Sequence, residues 1–122
     1  MSQYRQSLGR WGESLAVDYL GRKGYRLIER NWRTPQGEVD LIVQQENPPA
    51  IVFVEVKTRR SPRFGLPESA VTRRKQARLL AAAQAYLQAH PELDGDWRID
   101  VVAIRQPRGQ AAEIIHFENA LP

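Results

Sequence analysis

Two apolar, β-branched runs joined by a short polar link constrain this chain most. They are Glu38-Val39-Asp40-Leu41-Ile42-Val43 and Ala50-Ile51-Val52-Phe53-Val54-Glu55-Val56-Lys57, with Glu46-Asn47-Pro48-Pro49 between them. Such runs around a turn signal read as a β-hairpin. Side chains alternate across a strand, so Glu55 and Lys57 share one face and the valines at 52, 54 and 56 line the other. If the hairpin turns between Asn47 and Pro48, paired residues have numbers summing to 95. Asp40 then faces Glu55, and Glu38 faces Lys57. A slip of one residue would send the acids to opposite faces.

Two carboxylates facing each other on neighbouring strands repel, at up to about 1 kcal/mol if exposed and more if half buried. The arrangement makes sense if a divalent cation sits between the oxygens. Magnesium, a hard ion often held by one or two carboxylates plus water and phosphate, suits it, and manganese can take its place. Lys57 could then orient or deprotonate an attacking water, or neutralise charge on a phosphate. These functions converge on phosphodiester hydrolysis, with Asp40 and Glu55 as metal ligands and Lys57 as the assisting cation. The ordinary alternative is a strand-end aspartate beside a surface Glu–Lys ion pair.

The rest of the chain supplies a frame for that hairpin. Tyr4, Leu8, Trp11, Leu15 and Tyr19 recur at steps of three and four, which predicts an amphipathic helix over residues 4–20, stopped by Gly21 and Gly24. Residues 25–32 read as a strand, and Thr34-Pro35-Gln36-Gly37 as a turn. Residues 59–66 read as a loop. Pro67 suits the first turn of a second helix, with Glu68 near its positive end, and the alanine-rich segment 79–89 carries that helix to His90-Pro91. Two further strands, 97–105 and 112–117, are joined by Pro107-Arg108-Gly109. The expected order is αβββαββ: one α/β domain over residues 1–122, a mixed sheet with flanking helices.

With 122 residues there is room for one core, and with no cysteine there is no disulfide framework, thiolate zinc site or thiol catalysis. No apolar stretch approaches membrane-spanning length and the N-terminus lacks a signal-peptide core, so the expected compartment is the cytoplasm. The net charge of +4 is unevenly spread: eight cations (Lys57, Arg59, Arg60, Arg63, Arg73, Arg74, Lys75, Arg78) stand against Glu68 alone between positions 57 and 78. That field suits a polyanion, although a solvated basic face would look the same. Arg59, Arg60, Arg73, Arg74, Lys75 and Arg78 are the candidate nucleic-acid contacts, with Arg74 and Arg78 sharing a helix face. The Lys75 stem is expected along the sheet, with its amine reaching for solvent or phosphate. His90 and His116 read as non-ligands, Trp11, Trp32 and Trp97 as core more than as base-stacking platforms, and Asp100 as a buried ion pair or polar edge residue.

Asp40, fourteen intervening residues, then Glu55-Val56-Lys57 resembles the PD-(D/E)XK signature of restriction-type endonucleases and Holliday-junction resolvases. More specifically, Gly12-Glu13-x-x-Ala16, Asn31-Trp32-Arg33, Gly37-Glu38-Val39-Asp40-Leu41-Ile42, Phe53-Val54-Glu55-Val56-Lys57-Thr58-Arg59, Lys75 and Arg98-x-Asp100-Val101-Val102 resemble the YraN-like family of small bacterial proteins described as endonuclease candidates. The resemblance runs nearly the whole chain; Val39 departs from the proline of the literal motif. It implies a restriction-endonuclease-like fold and magnesium- or manganese-dependent cutting of DNA, ahead of RNA, with branched or damaged DNA as the suggested substrate. It also implies Glu13 as a further acid near the metal, although helical spacing puts Glu13 opposite Trp11 and equally on a solvated face. Similar resolvases act as dimers; these residues leave oligomeric state open. The rival readings are a non-catalytic nucleic-acid-binding module on this fold and a structural, partner-binding protein.

Overall fold

The hairpin pairs as the spacing requires. In the computed structural model, which describes residues 3–59, 72–106 and 109–120, β2 (Gly37–Glu46) and β3 (Pro49–Arg59) are antiparallel from Glu46↔Pro49 to Leu41↔Val54, every pair summing to 95. Both strands run further than their apolar cores, leaving a link of only Asn47 and Pro48. Preceding them are helix α1 (Gln3–Arg22) and β1 (Arg26–Thr34). β1 runs on to Thr34, and the Thr34 hydroxyl closes its turn, accepting from the backbone N–H of Gln36 and Gly37 at 3.1 Å each.

After β3 come helix α2 (Arg73–Ala89), β4 (Trp97–Arg105) and β5 (Glu113–Phe117). Thr72, extended at φ −68° and ψ 164°, caps α2 by accepting from Lys75 N–H. The described helix starts at Arg73; Pro67 and Glu68, expected in a first helical turn, lie outside the described residues, as does most of the 59–66 loop. A capping threonine at this position is the ordinary way to satisfy first-turn N–H groups. The five strands lie in sequence order, antiparallel except for β3 and β4, which are parallel and joined through α2. A parallel pair needs such a crossover.

Among the described residues one helix packs on each sheet face, which makes three layers. Ala16 and Leu20 of α1 pack on Leu41, Val43, Val52, Val54, Val102 and Ile104. Leu79, Ala82, Ala83 and Tyr86 of α2 pack on Val39, Ile42, Ile51, Phe53 and Ile99. This is an α/β fold with a mixed sheet and order αβββαββ, consistent with a restriction-endonuclease-like core. No described helix is long and apolar enough to cross a membrane.

Two glycines set how closely the helices dock. A Cβ on Gly37 would lie 2.1 Å from the Arg78 carbonyl oxygen, and one on Gly12 would lie 2.0 Å from Thr58 Oγ1. The first clash is with backbone and forces α2 off the sheet; the second is relieved by rotating a threonine side chain. Gly37→Ala should therefore cost about 1–3 kcal/mol in urea unfolding and Gly12→Ala distinctly less, as overpacking against rigid and yielding neighbours does. The reverse order would mean that α2 is not seated on Gly37.

Candidate active site

The β2–β3 ladder ends where the acids begin. Asp40 and Glu55 are next in register after Leu41↔Val54, but there the Val56 N–H donates to Asp40 Oδ2, at 2.8 Å, instead of to a β2 carbonyl. The other neighbour of β2 is irregular at the same place. Asn31, in the left-handed region at φ 56°, sits between the Arg30↔Leu41 and Trp32↔Val39 pairs, across from Asp40. On the near side of that point Arg30 meets Glu13 of α1, and Leu41 joins the α1-side core. Beyond it, Trp32 and Val39 pack on the α2 side. Two-residue alternation is thus interrupted on both strands, which frees Asp40 to lean onto β3. Asparagine tolerates the required φ better than most residues.

Glu55 is 5% exposed and carries two ammonium partners on one oxygen: Lys75 Nζ at 2.9 Å and Lys57 Nζ at 3.5 Å from Oε1. The Glu55 charge also acts on the Asp40 carboxyl. Burial first, then the Glu55 charge, pushes the Asp40 pKa up to about 8, against the opposing pull of the Val56 N–H; the Glu13 charge adds to the rise. Burial, followed by the neighbouring Lys75, weakens the hold of Lys57 on its proton. Burial acts the same way on Lys75, but its contacts with Lys57 and Glu55 outweigh it and raise its pKa. Of the two lysines, Lys57 is the readier proton acceptor and Lys75 the more persistent cation.

Glu13 is not on a solvated face. Its side chain is 17% exposed and its carboxylate lies 3.6 Å from Arg30 Nη2. Among the described residues no three His, Asp or Glu side chains gather as a metal-binding group. Asp40 and Glu55 are the two carboxylates here that could hold a hard divalent ion, with water and phosphate oxygens completing its shell. The raised pKa of Asp40 carries the same sense: partial burial first, and then the Glu55 charge, press on its ionised form.

Glu38 does not meet Lys57. It pairs with Arg33 across β1–β2, Arg33 Nε to Glu38 Oε2 at 3.4 Å, because the β2–β3 ladder no longer holds at that level. Lys75 reaches Glu55, at 2.9 Å, while its side chain stays 47% exposed. Arg59, at the end of β3, and Arg73, Arg74 and Arg78 on α2 are exposed; Arg60 lies outside the described residues. His90 stacks on Tyr86 at 4.0 Å and contacts the Tyr86 carbonyl.

Asp100 is fully buried and organises a polar network on β4, in register with Val54 and on the sheet face opposite Glu55. Its oxygens contact Arg98 Nε at 2.9 Å, His116 Nε2 at 2.7 Å and the Asn119 N–H at 2.9 Å. These contacts hold its carboxyl below the ordinary aspartate range despite burial. The Arg98-x-Asp100 spacing was the visible signal; the distant partner His116 was not.

The description "Uncharacterised protein family UPF0102" belongs to the family model that matches residues 12–104. A UPF0102 protein of Syntrophotalea carbinolica is 47% identical over 98% of this chain and 95% of its own length. One from Syntrophomonas wolfei is 49% identical over 94% of this chain and 97% of its own. A third, from Roseiflexus castenholzii, is 42% identical over 99% and 98%.

Proposed function

This chain belongs to the Uncharacterised protein family UPF0102, the YraN-like family, and from the site's geometry we propose that it is a divalent-metal-dependent endonuclease acting on DNA. The observation that carries the reading is the convergence of Asp40, Glu55, Lys57 and Lys75 at the point where β2 and β3 separate. Asp40 and Glu55 would hold magnesium or manganese, which supplies Lewis acidity at the scissile phosphate. Lys57, half-buried and with its pKa lowered, gives up its own proton more readily, and as the neutral amine would accept the proton of the attacking water. Lys75 keeps its charge and offsets the negative charge that grows on the phosphate. Glu13, tied to Arg30, sets the field at Asp40 from outside the donor pair.

The test is cleavage of linear, nicked, flapped and four-way DNA with manganese, by the wild type and by Lys57→Ala. Cutting of at least one substrate that falls by roughly 100-fold or more in the variant, as loss of a general base does, supports the reading. No cutting of any substrate, with binding retained, would favour a non-catalytic module.

The basic end of α2 has its own expected result. Arg74 and Arg78 are exposed and four apart on α2, the helix whose Lys75 reaches Glu55. Replacing both by alanine should weaken DNA binding equally across sequences and lower the slope of log affinity against log salt by about 1 per lost phosphate contact. An unchanged slope in a fluorescence-anisotropy titration would place the backbone contacts elsewhere.

A further inference from the structure

Trp97 opens β4 directly across from Ile51, so it projects to the same side of the sheet as Ile51, Phe53 and Glu55. Phe53 holds its ring edge-to-face at 6.0 Å, yet the residue remains 39% exposed. A cavity of about 490 Å³ adjoins it, lined by Trp97, Ile99, Arg73, Gln76, Ala77 and Leu80. Leu80 is 38% exposed as well. The four α2 positions, 73, 76, 77 and 80, form one helix stripe, and Lys75 lies off that stripe and reaches Glu55. The first turn of α2 therefore serves both places, Arg73 at the cavity and Lys75 at the acid pair. Along the sheet the two are close: Val101 pairs with Glu55 and Trp97 is four residues from it on β4, roughly 13 Å at the usual strand rise.

An apolar slot with one exposed indole, an amide and a guanidinium at its rim has the character of a base-stacking site. Arg73, exposed and in its lining, would draw the adjoining phosphate. A base inside a duplex cannot offer its face to the slot; an unpaired one can. We propose that this cavity takes an unpaired nucleobase stacked on Trp97, with Arg73 on its phosphate, while the neighbouring backbone crosses the Asp40–Glu55 pair. This rests on the nuclease reading and narrows its substrate class to DNA carrying a single-stranded or displaced nucleotide.

Anisotropy titrations without manganese compare a blunt duplex with the same duplex bearing a single-stranded overhang. The wild type is expected to favour the overhang by about tenfold, the effect of one good stacking contact. Trp97→Ala should remove the preference and leave blunt-duplex affinity unchanged, whereas Trp97→Phe keeps most of it. Trp97→Leu, which retains apolar bulk against Phe53, repeats the alanine result should that variant not fold. Manganese binding by Trp97→Leu, followed calorimetrically, should match the wild type. A wild type with no overhang preference, or Trp97→Ala and Trp97→Leu variants that retain it, overturns the base slot and leaves the nuclease reading standing. A wild type that binds neither DNA overturns both.

Discussion

Manganese binding should be lost in Asp40→Asn and in Glu55→Gln, and should persist in Lys57→Ala. In each amide variant one of the two carboxylates converging beside Val56 ceases to be an anionic donor, and no third acid stands in the described set to replace it. Removing partners that merely orient a ligand commonly costs about 10–100-fold in metal affinity, so losing a ligand from a two-carboxylate set should exceed that. Lys57→Ala takes a positive charge away from Glu55, from 3.5 Å, which leaves metal affinity equal or higher while turnover falls. Glu13→Gln should change affinity little, because that carboxylate is occupied by Arg30. Calorimetric titration of these four variants beside the wild type decides the matter; indistinguishable isotherms across the set would remove the proposed metal site.

The hairpin register was legible because pairing follows from strand parity and turn position, both of which the sequence displays. The αβββαββ order was legible for the same reason: apolar periodicity changes from two to nearly four where strands give way to helices. What happens at Asp40 was not. A strict alternation places Glu38 beside Lys57, and only the left-handed Asn31, opposite Asp40, ends that alternation and turns Glu38 to Arg33. The Asn31-Trp32-Arg33 motif was visible, but a φ value is not a compositional signal. Lys75 was legible as a helix residue with its stem along the sheet, yet its attachment to Glu55 depends on how deeply α2 seats on Gly37. Trp97 follows a different logic: aromatic residues are usually buried, and which one is left open depends on where a helix stops covering the sheet. Trp11 and Trp32 do pack on the two cores, as expected. Asp100 is a buried ion pair, one of the two readings its neighbour Arg98 suggested.

The acid pair also predicts how the metal-free protein responds to pH. Its simplest description, two repelling carboxylates, predicts that either amide substitution stabilises the fold. The contacts separate the two residues. Glu55 neutralises Lys57 and Lys75, so Glu55→Gln leaves two neighbouring ammonium groups without their shared anion and should destabilise. Asp40 feels burial first and then the charges of Glu55 and Glu13, and its pKa stands at about 8 against an ordinary 3.8. The sign follows from proton counts. Between these values the folded chain retains a proton that the unfolded chain has released, so stability is fully present below pH 3.8 and declines as pH rises toward 8. The decline attributable to this group is on the order of 3 kcal/mol, given 1.36 kcal/mol per unit and a reduction for the coupled charges. Asp40→Asn, which holds the neutral form at every pH, should flatten the curve and exceed wild-type stability near pH 8. Manganese must displace the same proton, so wild-type affinity should climb up to tenfold per pH unit below about 8. Urea unfolding of both proteins with chelator present, from pH 5 to 8.5, reads the first effect directly. A wild-type curve parallel to that of Asp40→Asn across this range would mean that Asp40 is already ionised in the metal-free fold, and that the strand separation at Asn31 does not bury it against Glu55.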